Sequence, residues 1–296
     1  MYGISIIGPG RLGGALALAL DANGWNVESL VYRSDAGRAS DIRDAMVSSR
    51  PRLIGGREMD KIESPLILIA APDPEIEGIA EGLVTSLEHS PIVLHTSGSL
   101  SSGVLSPLRS RGSAVGSMHP LVSVSDAFLG AARFAKSYFC VEGDETAAAA
   151  GISVARSLGA EPFSIATDCK PLYHAAAVTA SGHVVTVIDA AIELLSACGL
   201  DETAAREILM PLVQSTVENL RTQTTSRALT GTFARGDAAA LDRHIAAMST
   251  DALRDAAAIY LAVAERSIAI AERQGIDAGR AAEMRERISI AKRKLG

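Results

Sequence analysis

The hydrophobic pattern changes character part-way along the chain. Up to about residue 166, short apolar runs alternate with amphipathic stretches. Runs at 4–7, 25–32, 52–55, 66–71, 92–94, 114–118, 138–141 and 162–166 have strand length. Several are apolar throughout, as strands covered on both faces must be. Helical patterns at 15–20, 41–49 and 145–158 lie between them. From 167 onward only helices are predicted. A long one covers 169–197 and stops at Gly199. A second follows Asp201, and Pro211 is expected to kink or break it. A polar stretch at 222–232 leads to helices at 238–248, 252–274 and 278–295. The predicted fold class is α/β, a doubly wound, mostly parallel sheet over 1–167 followed by an all-α domain over 168–296.

The first strand runs directly into Gly8-Pro9-Gly10-Arg11-Leu12-Gly13, and a helix follows. This is G-x-G-x-x-G between strand and helix, the Rossmann-type dinucleotide fingerprint in its required setting. Gly8 permits the turn, Gly10 lets a pyrophosphate approach the backbone, and Gly13 lets helix and strand pack closely. Free N–H groups at the helix start attract the phosphates. About twenty residues beyond the motif, an NAD site carries an acid that bonds the ribose 2′-hydroxyl. This chain has Arg33 and Ser34 there, with Arg38 nearby. A guanidinium beside a hydroxyl suits a 2′-phosphate, so the expected cofactor is NADP. Ligands in such sheets sit beyond the carboxyl ends of the strands. The segments Ala71-Pro72-Asp73, Thr96-Ser97-Gly98 and His119-Pro120 are therefore expected to line one crevice. Asp73 is expected to cap a helix that has Pro74 at its first position.

Composition narrows the function. The 296 residues are 48% hydrophobic and only 4% aromatic, which favours closely packed, alanine-rich helices. The net charge of −6, with no Lys/Arg cluster, argues against a nucleic-acid partner. Cys140, Cys169 and Cys198 are odd in number and widely spaced and fit neither a disulfide framework nor a zinc site; no metal ligand is expected. With the first strand starting at residue 3 or 4, no signal peptide is expected, and the cytoplasm is the expected compartment.

The helix over 169–197 holds the remaining candidate chemistry. Its stretch 175–188 is too short for a membrane span, and helices apolar all round are buried. A homodimer through the helical domain is the expected way to bury it. At about 100° per residue, Lys170, His174 and Ser181 fall within roughly 40° of one another. Tyr173 flanks them, and His183 points to the other side. Lys170 and His174, one turn apart, are the expected proton donors for a small substrate, with Ser97 and His119 as further catalytic candidates. The helix dipole disfavours a cation in the first turn, which counts against a bland role for Lys170.

Four stretches carry a family resemblance. They are Val93-Leu94-His95-Thr96-Ser97-Gly98, Gly116-Ser117-Met118-His119-Pro120, Lys170-Pro171-Leu172-Tyr173-His174-Ala175-Ala176, and Leu229-Thr230-Gly231 with Arg235-Gly236-Asp237. With them the chain resembles the β-hydroxyacid dehydrogenase and 6-phosphogluconate dehydrogenase-like superfamily, to which ketopantoate reductase and pyrroline-5-carboxylate reductase belong. It is most similar to a bacterial family with a Rossmann-like domain and a helical C-terminal domain of unassigned function. The resemblance implies hydride transfer from NADPH and a lysine on the long helix, matched by Lys170. His174 or Tyr173 stands where relatives carry asparagine, and Gly182 stands where a polar amide is expected after Ser181. The resulting expectation is an NADP-dependent oxidoreductase acting on a small carbonyl or imine compound, a ketopantoate-like 2-oxo acid being the most concrete candidate. The alternative is an NADP-binding sensor or assembly protein without catalysis.

Overall fold

The computed structural model describes residues 3–295. Eight strands form one sheet: β1 (Gly3–Ile7), β2 (Asn26–Tyr32), β3 (Arg52–Gly55), β4 (Leu66–Ile69), β5 (Ile92–His95), β6 (Val115–Pro120), β7 (Tyr138–Gly143) and β8 (Glu161–Phe163). Their order is β3-β2-β1-β4-β5-β6-β7-β8. All neighbours are parallel except β6 and β7, so β7 and β8 run against the rest.

The strand sequences explain the layering. Successive side chains alternate between faces. Ile6, Leu68, Leu94 and Met118 join one core, with Leu16 and Leu20 of the helix Arg11–Ala22. Ile7, Ile67, Ile69 and Val93 join a second, with Ile76 and Leu83 of the helix Asp73–Ser86. Both faces are covered, hence the uninterrupted apolar runs.

Local competition for hydrogen bonds shifts two helix starts. The helix expected at 41–49 lies instead at Ala36–Asp44, capped by Asp35, which accepts from the Arg38 amide at 2.9 Å. Residues 47–49 leave the helix because the buried Asp21 carboxylate accepts from the amides of Val47, Ser48 and Ser49. Burial pushes the Asp21 pKa up, but those amides and the Ser49 side chain outweigh it and hold the pKa below the usual carboxylate range. Asp73 is not a helix cap either. Pro72 takes that position, Asp73 opens the helix, and its carboxylate accepts from the Ser99 hydroxyl.

The helix expected over 169–197 is two helices, Lys170–Ala180 and Gly182–Ser196. Ser181 interrupts them at φ −125°, ψ −77°, and Ser/Gly pairs are a common cause of helix kinks. Thr167–Ser196 as a whole is long and apolar enough to cross a membrane by length and composition, with mean hydropathy 1.5 and 6% of its most apolar stretch buried.

The packing divides at this interruption, one compact unit ending at Thr179 and the other starting at Ala180. Lys170, Tyr173 and His174 therefore group with the sheet. In the second unit, the helices Ala238–Ala247, Arg254–Gln274 and Ala278–Leu295 enclose a core of Leu241, Leu261, Ile268, Met284 and Ile288. A kink or break was expected at Pro211; the helix Glu202–Thr222 runs through it unbroken. The Arg235-Gly236-Asp237 motif is a turn: Gly236 has φ +63° and Asp237 caps the next helix.

Candidate functional site

The loop after β1 has the geometry a pyrophosphate requires. Gly8 has φ +87°, and a Cβ there would lie 2.7 Å from the Ala70 carbonyl oxygen. A Cβ on Gly13 would collide with the Gly8 carbonyl. Gly10 differs, since its Cβ position meets nothing within 4 Å, which leaves the backbone bare for a ligand. The helix Arg11–Ala22 starts at Gly10 with no side chain capping it, so its first N–H groups are free. Arg11 is exposed, and Leu12 packs against the core.

A cavity of about 900 Å³ opens beside this loop, between Gly8, Tyr32, Arg33, Gly56, Arg57, Met59, Ala71 and Glu75. Its size is that of a cofactor site. A neighbouring recess of about 210 Å³ adds Pro9, Gly10, Ser34, Arg38 and Pro72. Arg33 is exposed and forms an ion pair with Glu75, from the first turn of the helix Asp73–Ser86. Sequence reasoning missed Arg57, Met59 and Glu75. The Gly55-Gly56 pair ending β3 is the signal that its following loop turns toward the ligand side.

A second cluster lies beyond β5 and β6, on the same carboxyl edge of the sheet. His95 ends β5 fully buried. Its Nδ1 accepts from the Ser97 amide at 3.1 Å, so the ring proton sits on Nε2, 3.1 Å from the Ser101 carbonyl oxygen. Burial, helped by nearby Lys170, lowers its pKa to about 4 against the pull of that carbonyl. The Ser97 hydroxyl accepts from the amides of Ser99 and Leu100. The amide of Thr96 donates to the Ile69 carbonyl at 3.0 Å. The segment 95–100 is thereby a rigid loop, tied to the start of the next-door helix by the Ser99–Asp73 bond.

The helix Lys170–Ala180 grips this loop at two consecutive residues. Lys170 is fully buried, and its Nζ donates to the Ser97 carbonyl at 2.9 Å and to the Ser117 hydroxyl at 2.7 Å. Burial pushes its pKa below the usual lysine range, with Cys140, Glu142 and Asp73 pulling the other way. His174, one turn on, has its Nδ1 against Gly98, buried and, among the described residues, without a hydrogen-bond partner. A Cβ on Gly98 would collide with that nitrogen and lie 2.9 Å from Nε2 of His119. The two imidazoles meet edge to face, 5.8 Å between centroids. Tyr173 places its hydroxyl 2.7 Å from Nδ1 of His119. Burial lowers the His119 pKa to about 4, reinforced by Lys170 and His174.

The structure thus brings Ser97, Gly98, His119, Lys170 and His174 together. Lys170 lies beneath the loop with no exposed surface, whereas the sequence reading had it facing a substrate. Ser117 and His95 lie within the family-like stretches with no role expected for them, and Tyr173 was expected only to flank Lys170 and His174 or to stand in place of the relatives' asparagine. A histidine closing an apolar strand was the available signal for His95.

Residues 2–120 match the model of a Rossmann-like domain, and residues 137–267 match a domain of unknown function, DUF2520. No curated protein matches the chain. Among solved structures, one described as an NADP oxidoreductase from Bacteroides fragilis is 20% identical, covers 90% of this chain and 97% of its own, and has a TM-score of 0.72. Plasmodium falciparum pyrroline carboxylate reductase with NADP bound is 14% identical over 91% of this chain and 98% of its own, with a TM-score of 0.57. A reductive aminase from Aspergillus terreus, in complex with NADPH and ethyl levulinate, is 14% identical over 99% and 94%, also at 0.57. At these identities the likeness is one of fold, a Rossmann-like α/β domain followed by a helical region.

Proposed function

We propose that the protein is an NADP-dependent oxidoreductase that reduces a small carbonyl or imine compound. The observation that carries this reading is the meeting of His119 and His174 at Gly98, on the sheet edge that also bears the open Gly10 and the cofactor-sized cavity. In this reading Gly8, Gly10 and Gly13 would accommodate the pyrophosphate, and Arg33, Ser34, Arg38 and Arg57, which line the cavity and its neighbouring recess, would hold the 2′-phosphate. When bound, the reduced nicotinamide supplies a hydride. The chain's own groups orient the acceptor and govern its proton.

With a pKa of about 4, His119 is neutral at pH 7. It polarises a substrate by hydrogen bonding and is a weak proton donor. A protonated imine brings its own proton and needs only the hydride. A carbonyl needs a proton delivered to oxygen as well. The neutral imidazole therefore favours the imine within the proposed class. Lys170 acts as a positioning residue that holds the Ser97–Gly98 loop from below. The test is a titration with NADPH and NADH, then NADPH oxidation with a panel of cyclic imines, ketone–amine mixtures and 2-oxo acids including ketopantoate. Turnover with any member supports the enzyme. Tight NADPH binding with no turnover supports the sensor.

A homodimer belongs to the same proposal. Residues 171–188 contain no Asp, Glu, Lys or Arg, and Leu172, Val185 and Leu212 are exposed. A second copy of the chain would cover these helices, burying more than about 2,000 Å² in total, as obligate dimers commonly do. Sedimentation at micromolar concentration tests it, with a stable monomer, or a chain that partitions into vesicles, as the contrary results.

A further inference from the structure

We propose that Tyr173 is a positioning residue that fixes His119 as the tautomer protonated on Nε2, and so turns an N–H donor toward Gly98. The proposal rests on the oxidoreductase reading for its purpose and on geometry for its content. The hydroxyl oxygen of Tyr173 lies 2.7 Å from Nδ1 of His119, and either group is able to donate. What else each can reach decides the direction.

If Nδ1 carried the proton, the tyrosine oxygen would accept and its own proton would need another acceptor. Among the described residues His119 is the only hydrogen-bond partner of that hydroxyl. Leaving a part-buried O–H without a protein acceptor is the less favourable arrangement. The reverse arrangement satisfies both groups. Tyr173 donates, Nδ1 accepts, and the imidazole proton lies on Nε2, the nitrogen 2.9 Å from where a Gly98 side chain would begin.

The surroundings hold this arrangement. The Tyr173 ring packs edge to face on His119 at 5.5 Å and on Phe163 at 5.9 Å, so the hydroxyl has little freedom to turn away. Burial raises the Tyr173 pKa, which keeps the phenol protonated and able to donate. The low pKa of His119 keeps the ring neutral, the state in which tautomer choice matters. His95 shows the same logic in the neighbouring strand, where a backbone amide claims Nδ1 and sends the proton to Nε2.

The test is two-bond 1H–15N NMR on the full chain labelled with 15N-histidine at pH 7. His119 is assigned by its loss in His119→Gln, and Tyr173→Phe keeps the ring packing while removing the hydroxyl. The expected result is a protonated Nε2 and a bare, hydrogen-bonded Nδ1 in the unaltered protein. In Tyr173→Phe the Nδ1 resonance should move downfield as it loses its donor. A protonated Nδ1 in the unaltered protein overturns the proposal, as does an Nδ1 resonance that Tyr173→Phe leaves in place. No cofactor or substrate is needed, so failure here is separate from failure of the oxidoreductase reading, which turnover and NADPH titration decide.

Discussion

Lys170 donates to the carbonyl oxygen of Ser97 at 2.9 Å from beneath the loop that presents Gly98. The contact joins a helix start to a strand end 73 residues earlier in the chain. On the proposed reading, this contact makes Lys170 a support for the one residue where both imidazoles meet, in place of the proton donor expected from the sequence.

Lys170→Met keeps the aliphatic stem and leaves the Ser97 carbonyl and the Ser117 hydroxyl without their ammonium partner. A buried polar group left unpaired costs about 1–3 kcal/mol, partly offset here because no amine is buried any longer. The expected outcome is a melting temperature lowered by several degrees, with NADPH affinity little changed. Calorimetry alongside NADPH titration checks it. An unchanged melting temperature would remove the supporting role.

Gly98→Ala puts a methyl group into the space held by Nδ1 of His174 and close to Nε2 of His119. The fold should survive, because only two ring ends must move. Displacing reacting groups by about 1 Å can cost 10²-fold, so turnover should fall by about that factor while the circular dichroism spectrum is kept. Normal turnover in this variant would mean that the imidazoles are not at the reacting centre.

On the proposed reading, the ion pair of Arg33 with Glu75 governs the cofactor preference. Arg33→Asp should weaken NADPH relative to NADH by about tenfold, about 1.4 kcal/mol. Glu75→Gln releases Arg33 from its ion pair and should strengthen NADPH while leaving NADH unchanged. Titration of both dinucleotides against the three proteins checks the pair of effects. Equal affinities in the unaltered protein would place the 2′-phosphate elsewhere.

His95 makes stability depend on pH. Its folded pKa of about 4 lies below the ordinary 6.5, so the unfolded chain binds the proton more readily. The stability it contributes is fully present above pH 6.5 and is lost as pH falls toward 4. Between pH 7 and pH 5 the loss from this group is about 2 kcal/mol. His95→Gln removes the titration, so its unfolding free energy should fall less over that interval. Denaturant unfolding at the two pH values measures it, and equal falls would contradict the assignment.

The parallel sheet and the glycine loop were legible in the sequence because each rests on local information. The alternation of Ile6 with Ile7 and of Val93 with Leu94 feeds two cores at once. Gly8 and Gly13 stand where a Cβ has no room. The misplaced elements were settled by partners distant in the chain. Asp21 pulls residues 47–49 out of a helix, and Ser99 takes the Asp73 carboxylate. Helical periodicity put Lys170 and His174 on one face, and both do reach the same loop. Periodicity carries no information about depth, so the burial of Lys170 beneath Ser97 was not readable from it. The role of Tyr173 depends on the position of His119 in β6, and no spacing within its own helix encodes that.

The most direct measurement is NADPH oxidation by the unaltered protein and by a His119→Ala/His174→Ala double variant, with a saturating substrate found in the panel and NADPH affinity titrated in parallel. The account predicts turnover in the unaltered protein and a fall of about 10²–10³-fold in the double variant, the loss that removing a hydrogen-bond donor from the reacting group causes, with NADPH binding retained. Near-normal turnover in the double variant, or an unaltered protein that does not bind NADPH, would contradict it.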